Sequence, residues 1–198
     1  RPQPNYKMAE GEIHIPAMYE TVQSLDQIVP VDYYMPGCPP EPKQIATVVG
    51  LVVQALKGEA QLPPSGAVIG AGKSTVCDEC TRTRNEKTIT HFERMATYQP
   101  RADLCLLEQG ILCSGMATRG GCDARCPSAN IPCHGSYGPA ANVIDQGARM
   151  MSAVASVVGS KDPVEIDQIM NGIVDPIGTF YRFSLPHSLM RHARSVAQ

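Results

Sequence analysis

Tryptophan is absent from this 198-residue chain, and aromatic residues of all kinds make up only 5% of it. A core must therefore come from Val, Ile, Leu, Met and Ala, each burying less surface than an aromatic ring. An excess of one charge is also missing. Lys and Arg number 17 against 19 Asp and Glu, a formal net charge of −2. That balance gives no electrostatic case for nucleic acid. The small basic run Arg82, Arg84, Lys87 and Arg94 reads as a solvated face. No apolar stretch reaches the length of a membrane-spanning helix. The most apolar run, Ile45 to Leu56, is too short for that and reads as a buried helix. There is no Gly-x-Ser-x-Gly elbow, no carboxylate pair at a defined spacing and no internal repeat. Gly70-Ala71-Gly72-Lys73-Ser74 resembles a phosphate loop only at its end, because Gly66 is out of register for the first glycine.

What is present begins with a β-rich segment, Ile28 to Met35, which reads as a strand. It stops at Pro36-Gly37-Cys38-Pro39-Pro40, so Cys38 falls just past a strand end, where loops of open α/β sheets carry chemistry. A helix is expected from Pro42 to Lys57, with Pro42 in its first turn, a stripe of Val48, Val49, Val52, Val53 and Leu56, and Gly58 as its stop. The Pro- and Gly-rich stretch that follows reads as a linker, assigned to residues 63–76. Residues 74 to 139 show little periodicity and predict loops and short helices around inorganic centres. A helix is expected over Asn142 to Val158, capped by Asn142, and another from Asp162-Pro163 to about Ile173. A short third helix is expected from Pro186.

Cysteine is the informative count. Eight are present, and seven lie between Cys77 and Cys133. They fall into two sets: Cys77, Cys80, Cys105 and Cys113, then Cys122, Cys126 and Cys133, with Ser136 where a fourth ligand would be expected. Thiolates two or three residues apart can bind one soft metal or two irons of one cluster. Structural zinc fits the first set acceptably. The second set is one ligand short of a four-cysteine site. Zinc tolerates that poorly, whereas a three-iron cluster needs only three thiolates. Cys-Pro at 126–127 and Pro-Cys at 132–133 resemble dipeptides seen at iron–sulfur sites. Spacing alone leaves zinc and iron–sulfur both open. A disulfide-stapled secreted protein is disfavoured by the size of the chain and the short cysteine spacings. His134 adjoins the second set; His14, His91, His187 and His192 show no partner pattern.

Taken together, these residues resemble the small subunit of nickel–iron hydrogenases. Pro36-Gly37-Cys38-Pro39-Pro40 looks like the loop giving the last proximal-cluster ligand. Cys77-x-x-Cys80, Cys105 and Cys113 resemble the distal-cluster pattern, and Cys122, Cys126 and Cys133 the medial one. Cys77-Asp78-Glu79-Cys80, the run from Cys105 to Cys113, and Pro132-Cys133-His134-Gly135-Ser136 are most similar to the cytoplasmic group, in its methyl-viologen-reducing branch, which does not reduce the deazaflavin coenzyme. The resemblance implies an α/β fold. Residues 1–62 would be the C-terminal remainder of a flavodoxin-like proximal-cluster domain, and 77–198 a loop-rich, partly helical cluster domain with C-terminal helices. The other proximal ligands would lie upstream of Arg1.

By the same resemblance the chain has no catalytic residue of its own and belongs to an oxidoreductase complex. It would pass electrons from a hydrogen-splitting large subunit through iron–sulfur clusters. The proximal four-iron cluster would take Cys38 plus upstream ligands. The distal four-iron cluster would take Cys77, Cys80, Cys105 and Cys113. The medial cluster, three-iron or four-iron, would take Cys122, Cys126 and Cys133, with Ser136, His134 or water as a possible fourth ligand. The acceptor would be an iron–sulfur or flavin protein of heterodisulfide reductase type, in the cytoplasm, with no nucleic acid and no membrane span. The alternatives are an NAD(P)- or sulfur-linked cytoplasmic hydrogenase or, in another class, a zinc-binding interaction module.

Overall fold

The computed structural model describes residues 4–16, 21–85 and 88–190. It is mixed α/β, with two small sheets and several short helices. The chain opens with a hairpin that its sequence does not announce. β1 (Asn5–Met8) and β2 (Gly11–His14) pair antiparallel across a two-residue connection, Asn5 opposite His14. Both strands are exposed, and His14 Nδ1 hydrogen-bonds Asn5 Oδ1 at 2.7 Å.

The expected strand over Ile28–Met35 is reduced to β3 (Tyr33–Tyr34). Leu25–Gln27 forms a 3₁₀ turn instead, and the N–H groups of Ile28 and Val29 fold back onto Leu25 O. Pro30 has no N–H to add to a ladder, so pairing begins only after it. The strand pairs in parallel with β4 (Ala67–Val68), with α1 (Pro42–Leu56) as the crossover. The stretch read as linker therefore contributes a strand.

α1 has the expected bounds. Pro42 occupies its first turn, Glu41 and Gln44 cap it reciprocally, and Gly58 follows it at φ +78°. Its burial differs from expectation. Val49, Val52, Val53 and Leu56 are exposed, and the buried residue of the helix is polar Gln44. Gln44 Nε2 donates to Pro36 O at 2.8 Å, and its Oε1 accepts from Tyr137 O–H at 2.9 Å. Tertiary hydrogen bonds at the N-terminus of α1, rather than its valine stripe, attach the helix to the rest of the described chain.

Downstream, helices are short until the last third: α2 (Val76–Glu79), α3 (Arg125–Ser128), α4 (Gln146–Ala155), α5 (Pro163–Asn171) and α6 (Pro176–Phe180). α4 starts four residues later than expected. Asn142 sits at φ +65° in a turn, and Asp145 is the cap, accepting from Ala148 N at 2.8 Å. α5 starts as read, with Asp162 accepting from Val164 N and Glu165 N. From Pro186 the 3₁₀ turn Leu185–His187 comes first, Leu189 and Met190 are then helical, and residues 191–198, with His192, lie outside the described residues.

Two apolar clusters make the core. One joins the C-terminal helices to the cysteine-rich segment through Ile89, Leu107, Ala117, Met150, Val154, Ile173, Phe180 and Tyr181. The other surrounds the cysteines themselves: Val76, Leu106, Ile111, Cys113, Ala124 and Cys133, with Cys80, Tyr98 and Cys122 against it. Among the described residues no helix is long and apolar enough to cross a membrane.

Candidate iron–sulfur cluster sites

All eight cysteines carry free thiols. Cys77 and Cys80 sit on and just after α2, one turn apart, a spacing that brings both to one side. Thr75 starts that turn in reciprocal contact with Asp78, whose Oδ2 accepts from Thr75 N at 2.7 Å. Cys105 comes to them by a strand-like bridge between Thr83 and Leu104, in which Cys105 N donates to Thr83 O at 2.8 Å. Cys113 comes by the tight turn after Leu107–Gln109, where Gly110 adopts φ +78°. The result is one small cavity of about 30 Å³ lined by Cys77, Cys80, Cys105 and Cys113, with Val76, Leu106, Gly115 and Arg82. Among the described residues no three His, Cys, Asp or Glu side chains converge on a single ion; the four sulfurs line a wall instead.

Burial is the main influence on these thiols. It pushes Cys77 up to about 11, with Cys105 adding to the shift, and Cys113 up to about 12. A metal centre here must displace protons from the sulfurs. Opposing N–H donors are already aimed at them. Cys113 Sγ accepts from Cys133 N at 3.3 Å, and the rise is opposed by the backbone of Gly115 at Cys113, of Gly135 at Cys133, and of Arg125 and Ala124 at Cys122. Such bonds favour the anionic sulfur and tune cluster potentials.

The second set is adjacent. Cys122, Cys126 and Cys133 are close enough for Cys133 to feel the charge of both others. Cys133 N donates to Cys113 Sγ at 3.3 Å, and Ser114 N returns a bond to Cys133 O at 2.8 Å. The two sets thus share a backbone seam. The loop carrying Cys122 is strained, with Gly121, Asp123 and Ala124 at φ +125°, +54° and +47°. Glu79, between the first pair of cysteines, holds it: its carboxylate accepts from Gly121 N at 2.5 Å and Ala124 N at 3.3 Å.

Cys38 lies in the exposed loop after β3, in neither set. That loop is nevertheless docked on the second set, through Gln44 to Tyr137 and through ion pairs Glu41–Arg125 and Lys43–Asp123. Ser136 lines a cleft with Pro36, Gly37 and Tyr137. His134 is exposed, and desolvation, then the Arg182 charge, holds its imidazole below the ordinary value. Four residues that position these loops are not evident from the sequence motifs: Gln44, Glu79, Gly115 and Arg82. A Cβ on Gly115 would come 3.1 Å from Cys77 Sγ and 3.8 Å from Cys113 Sγ. Only Glu79 and Gly115 had a local signal, their places inside or beside cysteine motifs. Arg82, read as part of a solvated face, is buried; Arg84 and Arg94 are exposed, and Lys87 lies outside the described residues.

Residues 3–52, which include Cys38 but none of the later cysteines, match the family of the NADH ubiquinone oxidoreductase 20 Kd subunit. Over 194 residues, 96% of the chain, it is 36% identical to the iron-sulfur subunit of the F420-non-reducing hydrogenase of Archaeoglobus profundus, covering 58% of that protein. Over 181 residues, 89% of the chain, it is 37% identical to the corresponding F420-non-reducing hydrogenase subunit of Methanothermobacter marburgensis, covering 55% of it. Against the protein of the same name from Methanothermus fervidus, identity is 48% over 94 residues, 46% of the chain and 74% of the relative. The chain belongs to this family of F420-non-reducing hydrogenase subunits. It spans between half and two thirds of the length of the first two of these relatives. The resemblance carried by the cysteine motifs is met at the level of the family, and one relative is named an iron-sulfur subunit.

Proposed function

We propose that this chain is the electron-transfer small subunit of a nickel–iron hydrogenase. The observation that carries the reading is the cavity walled by Cys77, Cys80, Cys105 and Cys113, with N–H donors aimed at its sulfurs and a direct backbone seam to Cys133. The donor set suits iron–sulfur clusters: soft thiolates, an apolar surround, and hydrogen bonds to sulfur. Cys77, Cys80, Cys105 and Cys113 would hold a distal four-iron cluster. Cys122, Cys126 and Cys133 would hold a medial cluster, three-iron on these ligands alone and four-iron if Ser136, His134 or water completes it. Cys38 would be one ligand of a proximal four-iron cluster, the rest coming from upstream residues. The clusters supply reversible one-electron chemistry when bound. The chain itself positions them, excludes water and sets their surroundings.

The docking of the Cys38 loop on the Cys122–Cys126 loop, and of Cys133 on Cys113, supports the order proximal, medial, distal. The parallel β3–α1–β4 unit is consistent with residues 1–62 being the end of a flavodoxin-like domain, followed by a linker at 63–76 and a cluster domain at 77–198. In this reading the partners are a nickel–iron large subunit and an electron acceptor of heterodisulfide reductase type, in the cytoplasm.

The test is iron and acid-labile sulfide analysis of the anaerobically purified complex, with electron paramagnetic resonance of oxidised and reduced samples. Iron with matching sulfide is expected, and a three-iron signal on oxidation if the medial cluster has three ligands. Zinc without sulfide would overturn the reading and leave a zinc-binding interaction module.

A further inference from the structure

Arg82 is only 8% exposed, yet it is a cation among thiols. All five of its N–H groups are used. Nε and Nη2 donate to Pro127 O at 3.0 and 2.8 Å. Nη1 donates to Arg101 O at 2.7 Å and Leu104 O at 2.8 Å, and Nη2 to Asn130 Oδ1 at 2.6 Å. Every acceptor is neutral. Among the described residues no carboxylate forms a salt bridge with it; the nearby Asp103 is paired with Arg101 at 2.7 Å. A buried charge is ordinarily paired, because carbonyl dipoles satisfy its hydrogen bonds without cancelling its charge. Asp103 feels the Arg82 charge from a distance but is engaged by Arg101, and the placement points to a further negative charge at the cysteines. Leu104 immediately precedes Cys105, and Pro127 immediately follows Cys126. Arg82 also lines the cavity of Cys77, Cys80, Cys105 and Cys113.

We infer that Arg82 is a positioning residue shared by the two cysteine sites, its guanidinium spanning from the Cys105 side to the Cys126 side and serving as the common counter-charge of two anionic clusters. The inference rests on the proposed electron-transfer reading. Its fork fixes the backbone beside one ligand of each set, and its charge favours the more negative, reduced state of each cluster. Reduction potentials depend on net charge and hydrogen bonding around the sulfurs. Arg82 therefore holds both midpoints higher than the same ligands would without it.

The experiment is a redox titration of the whole complex followed by electron paramagnetic resonance, with iron and sulfide content and a thermal melt for each variant. Arg82→Gln removes the charge. Arg82→Lys keeps the charge and loses the fork. Asn130→Asp leaves the guanidinium in place and sets a carboxylate against Nη2, at a left-handed position that Asp tolerates as Asn does. Both midpoints are expected to shift negative in Arg82→Gln and Asn130→Asp. In Arg82→Lys they stay nearer the wild type while the melt falls. Should Arg82→Gln fail to assemble clusters, Asn130→Asp decides. Unmoved midpoints in Asn130→Asp, with iron and sulfide intact, overturn the inference and leave Arg82 a structural brace. A shift of one cluster alone overturns the shared role. Zinc in the wild-type complex would instead overturn the electron-transfer reading itself.

Discussion

The stretch with the clearest helical pattern and the stretch with almost none bury opposite amounts of apolar surface. Along α1, Val49 is 55% exposed, Val53 43% and Leu56 84%. In the cysteine-rich segment Val76 and Leu106 are 1% exposed and Ile111 2%. An amphipathic stripe says which face of a helix seeks cover. It does not say what covers it: Val48 packs over Gly70, whereas Val49, Val52, Val53 and Leu56 stay exposed. Around the cysteines the logic is reversed. Val76 precedes Cys77 and Leu106 follows Cys105, so the backbone that delivers each of these two sulfurs also delivers a core side chain. Periodicity is absent because turns, rather than a repeating helix, set the direction of each residue.

The sharpest way to break this comparison is to truncate one leucine from each region. Leu106→Ala should cost about 2–5 kcal/mol in a denaturant melt, whereas Leu56→Ala should stay within about 0.5 kcal/mol. Equal costs would mean that the α1 stripe is covered in solution. Next is Gly115→Ala, whose methyl would press on the Cys77 sulfur; a loss of about 1–3 kcal/mol is expected. Iron retained per chain should fall with it, and an unchanged iron content would show that the wall can yield. Glu79→Gln should cost about 1 kcal/mol by weakening the clamp on Gly121 and Ala124. Faster alkylation of Cys122 in the metal-free protein would report the loosened loop. Tyr137→Phe, which removes the bond to Gln44, should cost at most about 1.5 kcal/mol. Its readout is faster proteolysis within residues 21–68, leaving the cysteine-rich body intact.

The smallest effect concerns pH. Asp26 is held below the ordinary aspartate value of 3.8, first by the Ser24 hydroxyl, then by Tyr34 and the His187 charge. A lowered carboxylate pKa contributes stability that is present above that value and lost as pH falls through the folded-state pKa. Melts below pH 4 should therefore lose slightly less stability in Asp26→Asn than in the wild type.

Some of this is legible without the structure. Pro42 and Gly58 bracket α1, and Asp162 caps α5, because those signals act through a residue's own backbone and its next few neighbours. The grouping of Cys77 with Cys80 is of the same local kind. The strand expected over Ile28–Met35 is too long because β-branched composition does not guarantee pairing, and Pro30 and a two-residue partner limit it to Tyr33–Tyr34. Asn142 is a plausible cap by its residue type, but Asp145 takes the role because its other oxygen also accepts from Leu189 N at 2.8 Å, a bond formed only when the chain's end returns.

The sequence by itself determined the number and local spacing of the sulfurs, the family to which those spacings point, and the ends of the best-capped helices. These follow from covalent neighbours and short-range hydrogen bonds. Only the tertiary structure decided which distant sulfurs share a wall, that Cys133 donates to Cys113, that Glu79 braces the loop of the other set, and that Arg82 is buried between the two. Each depends on a few bonds between residues tens of positions apart. Composition and periodicity carry no trace of such contacts, because a loop's ends can meet in many ways until long-range packing selects one.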